Sequence, residues 1–296
     1  MEMRVLMLLA VLVGCGRRDS PSPAPSPSPT PTPTPAPAQC DNYEPRYAGD
    51  PDLVTFPSDG MTLHGFLFRP SGAGPFPAIV YNHGSGQEVG TMQNFMKFFV
   101  DHGFVVFLPH RRGHDRSGDV APYMAHLFDT DEAHEDKEKL VTELVAQSDD
   151  VIAAVKYVAA LPDVDPKRVA TIGCSFGGIE SVFAAEQGTG LVAAVDFAGA
   201  AMSWATEPLL QQRMITAVRN AKVPILFLQA ENDFDTTPSQ VLSETMKNAG
   251  KPMQVHIYPA NGTSHRAGHG GFCFDDHPKW GDEVLTFLAE NMPESP

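Results

Sequence analysis

The chain has 296 residues, 42% of them hydrophobic and 19% charged, a globular composition long enough for one or two domains and a large buried core. Its formal net charge of −15 argues against a nucleic-acid partner, because phosphate binding needs clustered Lys and Arg. An acidic balance favours solubility and says little about substrate.

In chain order, the first segment reads as a processing signal. Arg4 precedes the apolar run "VLMLLAVLV", Val5 to Val13. About nine apolar residues suit a signal h-region and are too few to span a bilayer. The run ends in "LVGC", which resembles a bacterial lipobox. That resemblance implies cleavage after residue 14, a lipid on Cys15, attachment to the membrane through acyl chains alone, and, with Gly16 in place of Asp, the outer membrane. "SPSPAPSPSPTPTPTPAPAQ", Ser20 to Gln39, has proline at nearly every second position, which blocks helix and sheet and favours an extended spacer. Residues 1–14 are thus expected to be a signal, 15–41 a lipidated tether and 42–296 the folded domain.

From about Asn42 the pattern alternates strand and helix. "MTLHGFLFRP" alternates with near period two, as an early antiparallel strand would. "FPAIVYN" (Phe76 to Asn82) and "FVVFLP" (Phe104 to Pro109) are continuous apolar runs, as in strands buried on both faces. Between them "TMQNFMKFFVDHG" predicts a helix stopped by Gly103. "SDDVIAAVKYVAAL" is an amphipathic helix; "RVATIG", "LVAAVDFAG", "VPILFLQA" and "MQVHIYPA" are further strands, and "WGDEVLTFLAENM" is a closing helix. The expected fold is one α/β domain of roughly 250 residues, a mostly parallel sheet with helices on both faces.

Within this frame "RVATIG" runs into "CSFGG" and then a helix. A buried strand, a tight turn and a helix are the setting of a G-x-S-x-G nucleophile elbow. Gly173 and Gly177 flank Ser175, which makes Ser175 the exposed central residue and Cys174 the one directed away from the tip. A serine nucleophile needs a base, and the base an orienting acid, in the chain order Ser, Asp or Glu, His. "VPILFLQAENDFDTTP" supplies Asp233 close to a strand end, with Asp235 as second candidate or as a helix cap. "IYPANGTSHRAGHGGF" supplies His265 and His269; their i, i+4 spacing could hold a metal on a helix, but the glycines and Asn-Gly argue for a loop and against a metal site. The oxyanion needs preorganised N–H donors. The residue after the nucleophile, Phe176, and the loop "NHGSGQ", with Ser85 first and Gly86 next, are the candidates. His83 there fits loop support better than base catalysis.

Taken together, "YNHGSG", "PHRRGHDRSGD", "GCSFGG", "QAENDFDTTP" and "YPANGTSHRAGHGGF" resemble the dienelactone hydrolase family of the α/β-hydrolase superfamily across most of Phe56 to Met292. The resemblance implies an ester or lactone hydrolase without cofactor, and it supports His269 as the base. The founding members carry cysteine at the nucleophile position; Ser175 is a departure that favours a serine esterase with a small-molecule ester substrate. A prolyl-oligopeptidase-like peptidase, or a surface binding protein with an idle triad, are the rival readings.

Two features stay open at this level. Cys15 is assigned to lipid, which leaves Cys40, Cys174 and Cys273, and the expected disulfide is Cys40 with Cys273 because Cys174 falls in the core. Arg111, Arg112 and Arg116 could bind a substrate carboxylate or could serve a structural salt bridge. No long insertion between "VDFAG" and "VPILF" suggests a large lid, although Tyr123 to Lys139 could partly cover the site.

Overall fold

A computed structural model describes residues 51–124 and 134–292. Eight strands form one sheet: β1 (Asp52–Ser58), β2 (Met61–Phe68), β3 (Phe76–Asn82), β4 (Val105–His110), β5 (Val164–Cys174), β6 (Ala193–Phe197), β7 (Ile225–Ala230) and β8 (Met253–Tyr258). Their spatial order is β1-β2-β4-β3-β5-β6-β7-β8. β2 is antiparallel to β1 and β4, and every pairing from β4 through β8 is parallel. The fold is that of the α/β-hydrolases.

Helices cover both faces. The α2 (His134–Ala159), α3 (Phe176–Gln187), α4 (Pro208–Asn220) and α5 (Thr237–Asn248) helices bury Leu144, Val155, Phe183, Met214 and Leu242 against Val80, Val169 and Phe227. On the other face α1 (Gln93–Asp101) and α7 (His277–Asn291) bury Phe99, Trp280 and Phe287 against Ile79, Ala170 and Leu226. Adjacent strand residues thus enter opposite core layers, which is why the central strands read as unbroken apolar runs. Between β6 and β7 lie only a turn and α4.

The β1 strand was not expected. It pairs with β2 through the two-residue turn Asp59-Gly60, both with positive φ (47° and 75°), and Ser58 faces Met61. Asp-Gly between two strands is a strong hairpin signal, and it was there to be read. Cysteine pairing also differs from expectation. Cys174 is in the core, but so is Cys273, each 1% exposed, and the two form a disulfide. Burial at both ends allows a bridge as long as the two Cα atoms are close, here 6.2 Å. Cys273 is therefore taken by Cys174, while Cys40, Cys15 and the proline-rich tether lie outside the described residues. So does most of the proposed cover, residues 125–133.

Candidate active site

The loops that follow the parallel strands emerge at one edge of the sheet, where α/β folds place their ligands. β5 ends at Cys174, and Ser175 follows with φ 60° and ψ −117°, a strained backbone for a residue with a side chain. The Ser175 N–H donates to Phe197 O at 2.8 Å, which pins the turn to β6. A Cβ on Gly173 would sit 2.1 Å from Gly177 O, and one on Gly177 would sit 1.9 Å from Asn82 O. Only glycine lets strand, turn and helix close on one another in this way. Phe176 opens α3, so its amide belongs to the electropositive end of that helix.

β7 leads into the acid. Asp233 is 4% exposed; it accepts from the Gln229 Nε2 amide (3.0 Å) and from the Phe234 N–H (2.6 Å). His269 Nδ1 lies 2.8 and 3.0 Å from its two carboxylate oxygens. Asp235 does something else: its Oδ1 accepts the Thr237 N–H (2.8 Å) at the start of α5. His265 turns Nδ1 to the backbone oxygens of Asn232 and Asp233 and stacks on Phe234. Of the two candidate acids and two candidate bases, the structure brings Asp233 and His269 together. His269 sits in a π-helical turn, Ala267–Gly271, that continues into α6 (Phe272–Asp275). Its Nε2 is buried and makes no hydrogen bond, leaving that nitrogen for proton transfer.

The loop after β3 is held from below by the segment after β4. Arg111 is fully buried; its guanidinium donates to His83 O (2.9 Å) and Gly84 O (3.3 Å), and through Nε to Gln147 (2.9 Å). His114 Nδ1 donates to Gly86 O, Tyr123 donates to Ser85 O, and Asp115 accepts from Val89 N and Gly90 N. Arg112 pairs with Asp150 through two nitrogens (2.9 and 2.8 Å). Arg111 and Arg112 are therefore structural, and Arg116 lies beside Asp115 at 3.7 Å. His83 supports its own loop, with Nδ1 donating to Gly84 O at 2.8 Å. Burial is the main cause holding His83 well below the ordinary histidine range and bringing His114 to about 4, with Arg111 adding to both. These imidazoles are neutral supports.

The model of the family described as "Dienelactone hydrolase family" matches residues 63–276, which takes in the elbow, the acid loop and the histidine turn. This chain belongs to the dienelactone hydrolase family. Among curated relatives it is 24% identical over 218 residues to "Protein usf" of Aquifex pyrophilus, covering 72% of this chain and 85% of that one. It is 23% identical over 232 residues to "Uncharacterized peptidase YtmA" of Bacillus subtilis, covering 69% and 82%. A candidate dienelactone hydrolase from Klebsiella pneumoniae is similar in structure, with TM-score 0.60 and 17% identity over 84% of this chain and all of that one. Pyrococcus horikoshii acylaminoacyl peptidase shares the fold at TM-score 0.62 and 16% identity, covering 85% of this chain. This family member spans 43% of that peptidase's length.

Gln229 was not foreseen as part of the family site. It joins Asp233 to Ser239, whose hydroxyl donates to Gln229 Oε1 at 2.8 Å. A fully buried glutamine closing the apolar run "ILFLQ" was its signal, since buried polar groups exist to be bonded.

Proposed function

We propose that this hydrolase-family chain is an exported, lipid-anchored serine hydrolase of carboxylic esters or lactones. The observation that carries the reading is the strained Ser175 elbow at the same sheet edge as the His269–Asp233 pair. His269 Nε2 takes the Ser175 proton as Oγ attacks the acyl carbon. Asp233 holds the Nδ1–H tautomer and stabilises the imidazolium. The amides of Phe176 and Ser85 receive the oxyanion, each such donor contributing about 3 kcal/mol. His269 then protonates the leaving alkoxide, and water, deprotonated by the same nitrogen, releases the acid. Phe234, 40% exposed and edge-on to His269 at 5.6 Å, offers an aromatic wall to the acyl or alcohol group. The reaction as written calls for no cofactor and no metal.

A peptidase reading draws on the likeness to the Bacillus subtilis and Pyrococcus horikoshii proteins. Assaying the full-length protein on p-nitrophenyl esters of increasing chain length beside N-acetyl-alanine p-nitroanilide separates the two. Ester turnover abolished in Ser175→Ala supports the esterase; turnover of the anilide alone moves the assignment to peptidase, and turnover of neither refutes both.

A further inference from the structure

The three loops of the site are joined unequally. Acid loop and histidine segment are linked by several polar contacts besides the His269–Asp233 pair. Asn232 Nδ2 donates to Asn261 O (2.9 Å) and Ser264 O (3.1 Å), and Asn261 N donates to Asn232 Oδ1 (2.8 Å). A Cβ on Gly268 would come within 2.6 Å of Asn232 O, so the segment lies directly on that loop. The nucleophile strand is joined to the histidine segment by the Cys174–Cys273 disulfide. Cys174 immediately precedes Ser175, and Cys273 follows His269 by one turn of the helical run from Ala267 through Asp275. One covalent bond therefore ties the backbone beside the nucleophile to the turn that carries the base. Both cysteines belong to the same close-packed core layer as Phe197, Phe272 and Trp280, and such packing leaves the bond little freedom to shift. His269 Nε2 makes no hydrogen bond, so no such bond sets its spacing from Ser175.

We propose that the Cys174–Cys273 disulfide positions the base for catalysis, setting the imidazole of His269 relative to Ser175. The cysteines are positioning residues that touch no substrate, and the proposal rests on the triad reading above. A dithiol reductant would pass two electrons and two protons to the bridge, leaving thiols on Cys174 and Cys273 and closing its own disulfide. The freed turn keeps Asp233 and Asn232 as partners, so the histidine keeps its acid and loses its fixed distance to the nucleophile. The signature is a fall in kcat with KM and pH profile retained, because substrate contacts and the His–Asp pair are untouched.

The test uses the full-length protein in detergent, with active sites titrated by a fluorophosphonate and folding followed by circular dichroism. Oxidised wild type is compared with dithiothreitol-reduced wild type, the same sample reoxidised by oxidised glutathione, and the Cys174→Ala/Cys273→Ala and Cys174→Ser/Cys273→Ser double variants. The expected result is a loss of at least about tenfold in kcat per titrated site and in phosphonylation rate, with KM within about twofold, restored by reoxidation in wild type alone. A per-site kcat within about twofold of the oxidised protein overturns the proposal, even where fewer sites titrate, because the bond then serves stability only. Two free thiols at these positions in the untreated protein overturn it as well. An oxidised protein inert to both ester and fluorophosphonate refutes the triad reading and, with it, any positioning role.

Discussion

Ser175 holds its hydroxyl on a backbone that ordinary residues avoid, and His269 and Asp233 are fixed beside that edge by short polar contacts. Replacing Ser175 by Ala should lower ester kcat by roughly 10⁴- to 10⁶-fold while far-ultraviolet circular dichroism stays unchanged. Asp233→Asn should cost roughly 10⁴-fold by favouring the wrong imidazole tautomer, whereas Asp235→Asn, which alters a helix start, should leave kcat near wild type. Steady-state kinetics of the two variants side by side decides between the acids. Asp196 invites a different prediction. Burial raises its carboxyl from 3.8 to about 7, against the Gly199 N–H that bonds its Oδ1 and lowers it. Between those values the unfolded chain has lost the proton and the folded one keeps it. Stability from this group is therefore complete below about pH 4, declines by about 1.4 kcal/mol per pH unit between about 4 and 7, and is lost once pH has risen past about 7. Urea midpoints between about pH 4 and 7 should fall less steeply with rising pH in Asp196→Asn than in wild type; equal slopes would mean that Asp196 ionises normally.

At the scale of elements, the segment after β4 acts as a bracket under the loop after β3. Its key side chain is Arg111, whose guanidinium is lowered to about 10 by burial, partly offset by the charges of Glu180 and Asp150. Arg111→Met should destabilise the fold by about 2–3 kcal/mol, because it unties the buried His83 and Gly84 carbonyls and the Gln147 amide oxygen. It should also lower kcat by roughly tenfold to a hundredfold through displacement of the Ser85 amide. Thermal melts and kcat measured below the melt test both parts; unchanged kcat would place the oxyanion amide elsewhere. The bracket also shows where sequence reading reaches its limit. The central strands β3 to β7 were legible because burial on both faces leaves apolar runs, and the elbow was legible because its glycines are sterically required. The roles of Arg111 and Cys273 were not, since each depends on a partner from a distant part of the chain, His83 or Cys174, and that of Gln229 depends on how the loop after β7 folds back to bring Asp233 and Ser239 to it. The spacing of "PHRRGHDRSG" is as compatible with a carboxylate site as with a bracket; only the burial of Arg111 beneath His83 and Gly84 separates them.

At the scale of the whole molecule, the proposal places a catalytic domain on an acylated, proline-rich tether. Cys15→Ser should move the protein from the detergent-rich to the aqueous phase on Triton X-114 partition and abolish palmitate incorporation, while ester turnover per site is kept. Unchanged partition would remove the anchor from the reading. The disulfide has a reach of its own at this scale. Its two cysteines are 99 residues apart, and Ser175, Asp233 and His269 all fall between them, so one ring of chain encloses the triad. Closing a ring of that size restricts the denatured chain by about 4–5 kcal/mol in the loop-entropy account. It also bears on resistance to proteolysis. The exposed stretch from Gly262 to Arg266 is open to proteases, and a cut there falls inside the ring. The nicked enzyme would stay one covalent molecule, running as a single band on a non-reducing gel and as two after reduction, with no member of the triad released.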